Sequence, residues 1–452
     1  MGYLGDTIVA VATAFGQGAV SLIRVSGPEA GAVMDRCWRG KPLSQPRLAV
    51  LGRIVRREAD GGEAVIDEGL ATYFREPASY TGEDVVEFTG HGGVLVTRRV
   101  LEAVVAAGAR QADPGEFTQR AFLNGKLDLT QAEAVMDLIS AQTDLALQAA
   151  REQLAGRLGD NLRALSGDLL ELVAHVEAYI DFPEEDIDPE TGAALLERID
   201  AASEGIDRLL ATADQGRILR EGVRTVIVGP PNVGKSSLLN QLLGFDRAIV
   251  SDIAGTTRDT VEEVINIRGL PVRLIDTAGL RDATDALEQA GIERSEAALR
   301  QADLVLEVVD ASLPRDAHPA PVSPSPATPR LLVLNKSDLS EHASWQGVPA
   351  VRISCATGAG LDALADAIES ALTSGAVPWS ADLIAINARH QSCLQRAREA
   401  LLAARTLLVS TQPPELVAEE LRAALQAVGE VVGLVNAEDV LSVIFGRFCI
   451  GK

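Results

Sequence analysis

The chain has 452 residues, 47% of them hydrophobic, and a formal net charge of −23 at pH 7. That length suits about three domains, and the lack of an apolar run near the ~18 residues of a membrane span argues against a transmembrane protein. The acidic balance argues against a protein that grips nucleic acid by itself, because Lys and Arg supply the affinity for a phosphate backbone. If RNA is involved, a small basic patch or a partner must contact it.

The four cysteines, Cys37, Cys355, Cys393 and Cys449, are widely separated. This spacing argues against a zinc ribbon or a disulfide framework and fits a reducing compartment. The first residues, MGYLGD, also lack the charged start and apolar core of a signal peptide. We therefore expect a cytoplasmic protein.

Two regions of different composition precede the middle of the chain. Residues 1–125 alternate short β-like runs with Gly-rich turns, which predicts a compact α+β domain. Residues 126–221 are rich in Ala and Leu at helical spacing, as in Ala134, Leu138, Ala141 and Leu145. Over 127–221 this helical region holds 21 acidic and 7 basic side chains, which is most simply a solvated surface.

From residue 222 to 375 the pattern changes to strand, loop, helix and strand, which predicts an α/β domain with a mainly parallel sheet. Residues 376–452 return to helical periodicity. Helices on both sides of a complete α/β domain predict one helical bundle into which that domain is inserted. The segment from Leu313 to Arg330 carries six prolines and is predicted to be an exposed loop.

The strongest motif is GPPNVGKS at 229–236, which matches G-x-x-x-x-G-K-S between an apolar strand and a helix. In that context backbone N–H groups and the helix N-terminus cradle phosphates, Lys235 reaches the β and γ oxygens, and the Ser236 hydroxyl holds Mg²⁺. The residues of this loop predicted to contact nucleotide are Asn232, Val233, Gly234, Lys235, Ser236 and Ser237.

Three further motifs follow predicted strands: DTAG at 276–279, NKSD at 335–338 and SCA at 354–356. The first suits Mg²⁺ and the γ-phosphate. In the second, the Asp338 carboxylate can accept from both N1–H and N2–H of guanine, which selects GTP over ATP. The third offers a backbone N–H to guanine O6. The contact residues predicted from these motifs are Asp276, Thr277, Ala278, Gly279, Asn335, Lys336, Asp338, Ser354, Cys355 and Ala356.

The segment SDIAGTTRD at 251–259 is typical of a switch loop, in which the Thr257 hydroxyl completes the Mg²⁺ shell. Ras-like GTPases orient the attacking water with a Gln after the Asp-x-x-Gly motif, but here that position is Leu280. A carboxylate, Glu288 or Asp285, could orient water instead, or a monovalent cation could assist. From the residues alone, Glu288 is better interpreted as a solvated helix residue than as a group that orients water.

Along nearly its whole length the chain resembles the MnmE (TrmE) family of bacterial tRNA-modification GTPases. The matching segments of the α/β domain lie at 229–237, 252–259 and 276–281. Outside that domain they are YTGED at 80–84, GHGG at 90–93, PGEFT at 114–118 and RAFLNGK at 120–126. The chain also ends in CIGK at 449–452, like the Cys-x-Gly-Lys end of the family.

The resemblance implies a homodimer formed through the N-terminal domain, which would bind 5-formyl-tetrahydrofolate. It implies α/β domains of Ras-like fold (G domains) that dimerise with potassium and GTP. It also implies a heterotetramer with the FAD-dependent protein MnmG, which together with this chain would build a carboxymethylaminomethyl or aminomethyl group on C5 of the wobble uridine of tRNA. In that arrangement MnmG could supply much of the tRNA contact.

Carried onto this sequence, the resemblance implies that Glu288 orients water. It implies potassium ligands at Asn232, Ser251, Ile253 and Thr256, and folate contacts at Arg24, Glu87, Lys126 and Lys452. It makes Cys449 functional, although a packed structural thiol is about as consistent with the sequence. The charged last residue argues against a prenylation box.

Two other functions stay open. The chain could be a regulatory GTPase switch of the ribosome-assembly type whose flanking domains only bind partners, or a folate-dependent one-carbon transferase that GTP regulates. Arg24, Glu87, Lys126 and the 449–452 tail have a purpose in the tRNA-modification hypothesis and none in the switch hypothesis.

Overall fold

The structure is a computed structural model of the chain. It describes residues 5–58, 60–181, 192–245, 262–276, 298–318, 328–373, 384–434, 441, 444–446 and 448–452, without the side chains of 245, 262 and 276. The described residues fall into two compact units. The first is drawn from Met1–Met136, Leu158–Ser166 and Val428–Lys452, and the second from Asp137–Arg157 and Gly167–Ala427.

A mixed sheet forms the centre of the first unit, with seven strands among the described residues in the order β3-β4-β5-β6-β2-β1-β7. Neighbouring strands are antiparallel except β1 and β7, which are parallel. The strands are β1 (Ile8–Val11), β2 (Val20–Ser26), β3 (Trp38–Gly40), β4 (Ala49–Arg57), β5 (Glu63–Phe74), β6 (Val85–His91) and β7 (Arg110–Gln111). The helices beside them are α1 (Ala30–Cys37), α2 (Val94–Ala106) and α3 (Glu116–Leu123).

The alternation of β2 shows how this sheet places its side chains. Ile23 and Val25 are buried in the core that the sheet forms with α1 and α2. Because successive strand residues point to opposite faces, Arg24 lies on the face turned away from those helices. There, at the β1 end, Phe117 of α3 packs against Ile8 and Ala10.

The remaining helices are α4 (Leu129–Ser140), α5 (Asp144–Leu154), α6 (Arg157–Asp181), α7 (Gly192–Leu210), α8 (Ala213–Glu221), α11 (Ala388–Val409) and α12 (Pro414–Val432). The helical spacing predicted through Ala141 crosses a break, because α4 ends at Ser140 and the Thr143 side chain caps α5 by accepting from Ala146 N at 3.3 Å. In the second unit α7 packs along α11, so helices from both sides of the α/β segment meet.

The α/β segment contains β8 (Val223–Val228), β9 (Glu262–Ile267), β10 (Leu270–Asp276), β11 (Leu304–Asp310), β12 (Arg330–Asn335) and β13 (Val351–Arg352). Its helices include α9 (Lys235–Phe245) and α10 (Leu361–Thr373). The strand order is β13-β12-β11-β8-β10-β9, and in the described chain only the β9–β10 pair is antiparallel. The carboxyl ends of β8, β11, β12 and β13 therefore meet at one edge of the sheet.

These elements confirm the predicted fold class, an α+β unit, helices and an α/β segment with a mainly parallel sheet. The predicted domain boundaries remain a proposal. Of the Pro-rich segment, residues 319–327 lie outside the described chain, and a single 3-10 turn covers Arg315–Ala317. No helix in the described ranges has the length and apolar character to cross a membrane.

Candidate functional site

The P-loop connects the end of β8 to the start of α9. Gly234 lies in the left-handed region at φ 98°, and a side chain there would overlap the Asn335 amide. Leu238 N donates to Gly234 O at 2.8 Å, which begins the helix directly behind the loop. The loop is thus a concave backbone segment at a helix N-terminus, the arrangement that binds phosphate.

The polar side chains of the loop are available to a ligand. Lys235 folds over its own loop, with Nζ donating to Pro230 O at 2.7 Å. Asn232, at φ 64°, and Ser236 and Ser237, in the first turn of α9, are exposed. Val233 is buried and anchors the loop.

Asn335 joins the P-loop to the segment that follows β13. Its Nδ2 donates to Val233 O at 2.8 Å, and its Oδ1 accepts from Cys355 N at 3.1 Å. Asn335 is only 2% exposed, so both bonds are shielded from water. These two bonds engage both polar atoms of the amide and make Asn335 a structural link within the site, while its predicted contact with nucleotide stays a prediction.

Asp338 and Lys336 belong to the motif predicted to contact guanine. The Asp338 carboxylate is exposed, and its Oδ1 accepts from Ser354 Oγ at 2.6 Å. Lys336, at φ 64°, donates through Nζ to Asp310 Oδ2 at 2.5 Å. Burial raises the pKa of Asp310, but Lys336 and hydrogen bonds from Ser312 outweigh it, so the pKa lies below its usual value. Asp310 therefore stays ionised and fixes the Lys336 side chain.

The segment after β13 is held from several sides. Ser354 N donates to Ala359 O at 2.9 Å, and Gln241 Nε2 of α9 donates to Cys355 O at 3.0 Å. Burial raises the pKa of the Cys355 thiol, so this cysteine is a neutral packing group. Ala356 is exposed beside it. Sequence reasoning missed Asp310 and Gln241, although Asp310 ends its strand as Asp276 does.

Part of the predicted site lies outside the described residues. This holds for Ser251, Ile253, Thr256, Thr257, Thr277, Ala278, Gly279, Leu280, Asp285 and Glu288. The backbone of Asp276 ends β10, and its side chain is not described. The magnesium and potassium ligand sets therefore remain predictions, of which Asn232 and Ser236 are placed.

The predicted folate residues lie in the first unit, and two of them, Arg24 and Glu87, lie on the sheet face turned away from α1 and α2. Arg24 Nε donates to Glu87 Oε1 at 2.8 Å, since β2 and β6 bring the two residues into register. The guanidinium lies 5.2 Å from the centre of the Tyr80 ring and 5.7 Å from that of Phe117. The two rings and the carboxylate fix this cation in one orientation.

The C-terminal tail reaches the same place. Gly451, at φ 101°, lies so close to the Val11 carbonyl that a side chain would overlap it, and Gly115 N donates to Cys449 O at 3.4 Å. Burial and then the charge of Arg24 lower the pKa of the Lys452 amine. Lys452 is thus close enough to Arg24 for their charges to repel.

Two residues of this unit that were predicted to be functional, Cys449 and Lys126, have surroundings different from those of Arg24. Cys449 is exposed, which argues against the packed structural thiol left open above. Lys126 contacts a separate loop, where its Nζ donates to Pro77 O at 3.0 Å. The described contacts therefore join Arg24 to Glu87 and Lys126 to a separate loop, while Lys452 is related to Arg24 only through the effect of its charge.

Comparison with known proteins shows the family of the chain. The family model of the MnmE helical domain matches residues 129–449, and that of the GTP-binding protein TrmE N-terminus matches residues 7–126. The tRNA modification GTPase MnmE of Akkermansia muciniphila is 54% identical over 451 residues, 99% of each chain. The chain belongs to the MnmE family of tRNA modification GTPases.

A more distant member of the family, from Geobacter sulfurreducens, is 48% identical over 458 residues and covers 100% of both chains. Among solved structures, the G domain of the T. maritima FeoB iron transporter is 25% identical. It covers 33% of this chain and 98% of its own, with a TM-score of 0.23.

Proposed function

We propose that this chain hydrolyses GTP and acts in tRNA modification, and that it selects guanine through Asp338. The observation that carries the proposal is the buried Asn335 amide, which joins the P-loop to the Cys355 segment. It sets the phosphate cradle and the Asp338 carboxylate as one site. The exposed oxygens of Asp338 accept from N1–H and N2–H of guanine, a pairing that adenine cannot satisfy.

The P-loop residues then act on the triphosphate. Backbone N–H groups of the loop and the N-terminus of α9 bind phosphate oxygens, and Lys235 exchanges its bond to Pro230 O for one to the phosphates. Mg²⁺, when bound, neutralises charge on the phosphate oxygens. The exposed Ser236 hydroxyl, with Thr257, offers the oxygen ligands that this hard cation prefers.

Glu288 orients the attacking water in this proposal, because Leu280 stands where Ras-like enzymes have Gln. Asn232 and oxygens of Ser251, Ile253 and Thr256 would hold potassium, which would supply positive charge in place of an arginine finger. Asn232 suits this role because it is exposed and extends from the P-loop itself.

In the first unit, Arg24, Glu87, Lys126 and Lys452 bind 5-formyl-tetrahydrofolate or another tetrahydrofolate. The ordered Arg24–Glu87 pair supports this proposal, since a carboxylate accepts from the N–H groups of a pterin and cations attract the glutamate tail. Exposed Cys449 then takes part in forming the carboxymethylaminomethyl or aminomethyl group on C5 of the wobble uridine.

The proposal includes a cytoplasmic homodimer that joins an MnmG-like FAD protein in a heterotetramer. Exposed apolar residues support a contact between copies: Phe15 is 82% and Leu95 67% exposed. Phe15 lines a pocket of about 240 Å³ formed by residues 13–18 and the start of α2, and Leu95 lies in the first turn of that helix. Apolar side chains grouped in this way commonly mark protein contacts.

A change of nucleotide preference tests whether Asp338 selects guanine. Asp338→Asn turns one acceptor into a donor, so we expect GTP affinity to fall at least about 100-fold and XTP, which has an oxygen at C2, to bind better. Asp316→Asn, an exposed carboxylate of the same segment, is the matched control. Unchanged GTP preference in Asp338→Asn would refute the assignment, and competition binding with GTP, XTP and ATP measures it.

A further inference from the structure

The N-terminal unit contains one strongly basic stretch in an acidic protein. Residues 36–57 hold seven Lys and Arg and no Asp or Glu, whereas the whole chain has a net charge of −23. Five of them form what is called the basic ridge below: Arg39, Lys41, Arg47, Arg53 and Arg57. They lie on β3, on β4 and on the segment between these two strands.

Strand pairing brings two of these cations together. Arg39 of β3 lies directly opposite Arg53 of β4 in an antiparallel pair, so both side chains project from the same face. Like charges directly opposite are unfavourable. Each guanidinium is therefore balanced by a glutamate of β5, Glu63 for Arg39 and Glu68 for Arg53. The fold has concentrated positive charge at this edge despite its electrostatic cost.

The balancing carboxylates are exposed and replaceable. Arg53 is 58% exposed in its side chain and Glu68 49%, and an exposed ion pair of this kind contributes at most about 1 kcal/mol. Among the described residues, Lys41, Arg47 and Arg57 form no ion pair within 4 Å. Arg47 Nη2 instead donates to Ala78 O at 2.8 Å. A polyanion can therefore bind Lys41 and Arg57 directly and compete for the other cations.

The dimensions also suit a nucleic-acid strand. At about 3.3 Å per residue, Arg53 and Arg57 are about 13 Å apart along β4, and the strand from Ala49 to Arg57 extends about 26 Å. That length spans several phosphates. Guanidinium groups bind phosphates through two parallel hydrogen bonds, and Arg47 lies 5.8 Å from the centre of the Phe74 ring, which holds its plane.

We propose that the basic ridge binds the phosphate backbone of the RNA substrate. The inference rests on the proposed function, because the relatives named tRNA modification GTPases supply the RNA. It goes further in giving this chain its own RNA contact, where the sequence predicted that a partner would supply most of it. The ridge contacts phosphates and not base edges, so it positions the RNA without selecting among bases.

The test uses the full-length protein and an unmodified tRNA transcript. Binding is measured over a range of salt concentrations for the wild type, for Arg53→Gln/Arg57→Gln and for Arg98→Gln/Arg99→Gln. The last two arginines are exposed on α2 and pair with Glu102, so this control removes the same charge from another element of the unit. We expect the ridge variant to bind about tenfold more weakly, with the salt slope reduced by about 2, and the control to stay within about twofold.

Equal affinity and slope in the wild type and the ridge variant would overturn the inference. So would equal losses in both variants, which would reduce the effect to net charge, or a wild type that does not bind the transcript. A change in particle mass confined to the ridge variant, with RNA binding intact, would make the ridge a contact between copies instead. GTP hydrolysis by the same samples is the separate readout: its absence throughout refutes the proposed function and leaves the RNA result to be judged by itself.

Discussion

The nucleotide site and the Arg24 site differ in how the chain builds them. The first consists of short contiguous motifs, each at the carboxyl end of a parallel strand, so one sheet edge gathers them. The second gathers single residues from β2, β6 and the last position of the chain, Arg24, Glu87 and Lys452. In a parallel sheet, a motif that directly follows a strand is predicted to lie at the carboxyl edge of the sheet. The Arg24 site, in contrast, depends on the register of antiparallel strands and on a C-terminal tail that returns to β1.

The largest effect that separates the two sites is expected from Gly234→Ala. The new methyl group would meet the Asn335 amide at a backbone angle that favours glycine, so we expect GTP affinity to fall at least about 100-fold. Folate binding by the first unit should be unchanged. Titration of a fluorescent GTP analogue and of 5-formyl-tetrahydrofolate measures both.

Gly244→Ala is the matched control. It lies in α9, the helix that begins directly after Gly234, and an added methyl group there meets no atom within 4 Å. This change should leave GTP binding intact and stabilise the helix by about 0.5–1 kcal/mol. Equal losses of GTP affinity in the two variants would contradict the account of the loop.

Arg120→Met tests what holds the N-terminal unit together. Arg120 is 1% exposed and donates to Asp6 Oδ1 at 2.6 Å, to Glu116 Oε1 at 2.9 Å and to Glu83 at 3.2 Å. Removing one partner of a buried ionic network costs about 3–5 kcal/mol of unfolding free energy. Urea unfolding of this unit, followed by near-UV circular dichroism, measures the loss.

Arg99→Met, which breaks an exposed pair with Glu102, is the control and should cost less than about 1 kcal/mol. Comparable losses in both variants would show that the buried network contributes no more than a surface pair. The nucleotide site belongs to the other unit, so neither change should alter GTP affinity.

Arg24→Met tests the second of the two sites, the Arg24 site. The substitution keeps an apolar stem between Tyr80 and Phe117 and removes the partner of Glu87. We expect affinity for 5-formyl-tetrahydrofolate to fall about tenfold or more and basal GTP hydrolysis to stay unchanged. Calorimetric titration with folate decides it, and unaltered affinity would remove Arg24 from the folate site.

Arg75→Met, an exposed arginine of the same unit, is the control for that experiment. It removes one positive charge without touching the Arg24–Glu87 pair. Equal weakening in the two variants would indicate general attraction of the folate charge and not a specific contact.

The smallest effect concerns thiol reactivity. Burial raises the pKa of Cys37 to about 11, whereas Cys449 is exposed. Because the thiolate is the reactive form, iodoacetamide at pH 8 should label Cys449 first and leave Cys37 protected until the protein unfolds. Peptide mass spectrometry after timed labelling checks the order, and early labelling of Cys37 would contradict its burial.

Sequence patterns predicted the nucleotide loop, the guanine motif and the parallel sheet because each depends on residues close together in the chain. They could not predict that Tyr80 and Phe117 enclose Arg24, since this depends on the packing of α3 against the sheet. They also missed the end of α4 at Ser140, because the apolar spacing continues through the break that Thr143 caps. Family resemblance, not spacing, suggested the folate residues.

The most direct test of the central claim is GTP hydrolysis by the purified protein in potassium and in sodium buffer at equal ionic strength. We predict strong stimulation by potassium that Asn232→Ala abolishes, because the proposed function makes the exposed Asn232 of the P-loop a cation ligand. Equally slow hydrolysis in both salts would contradict the cation mechanism and favour a regulatory switch that awaits an external activator.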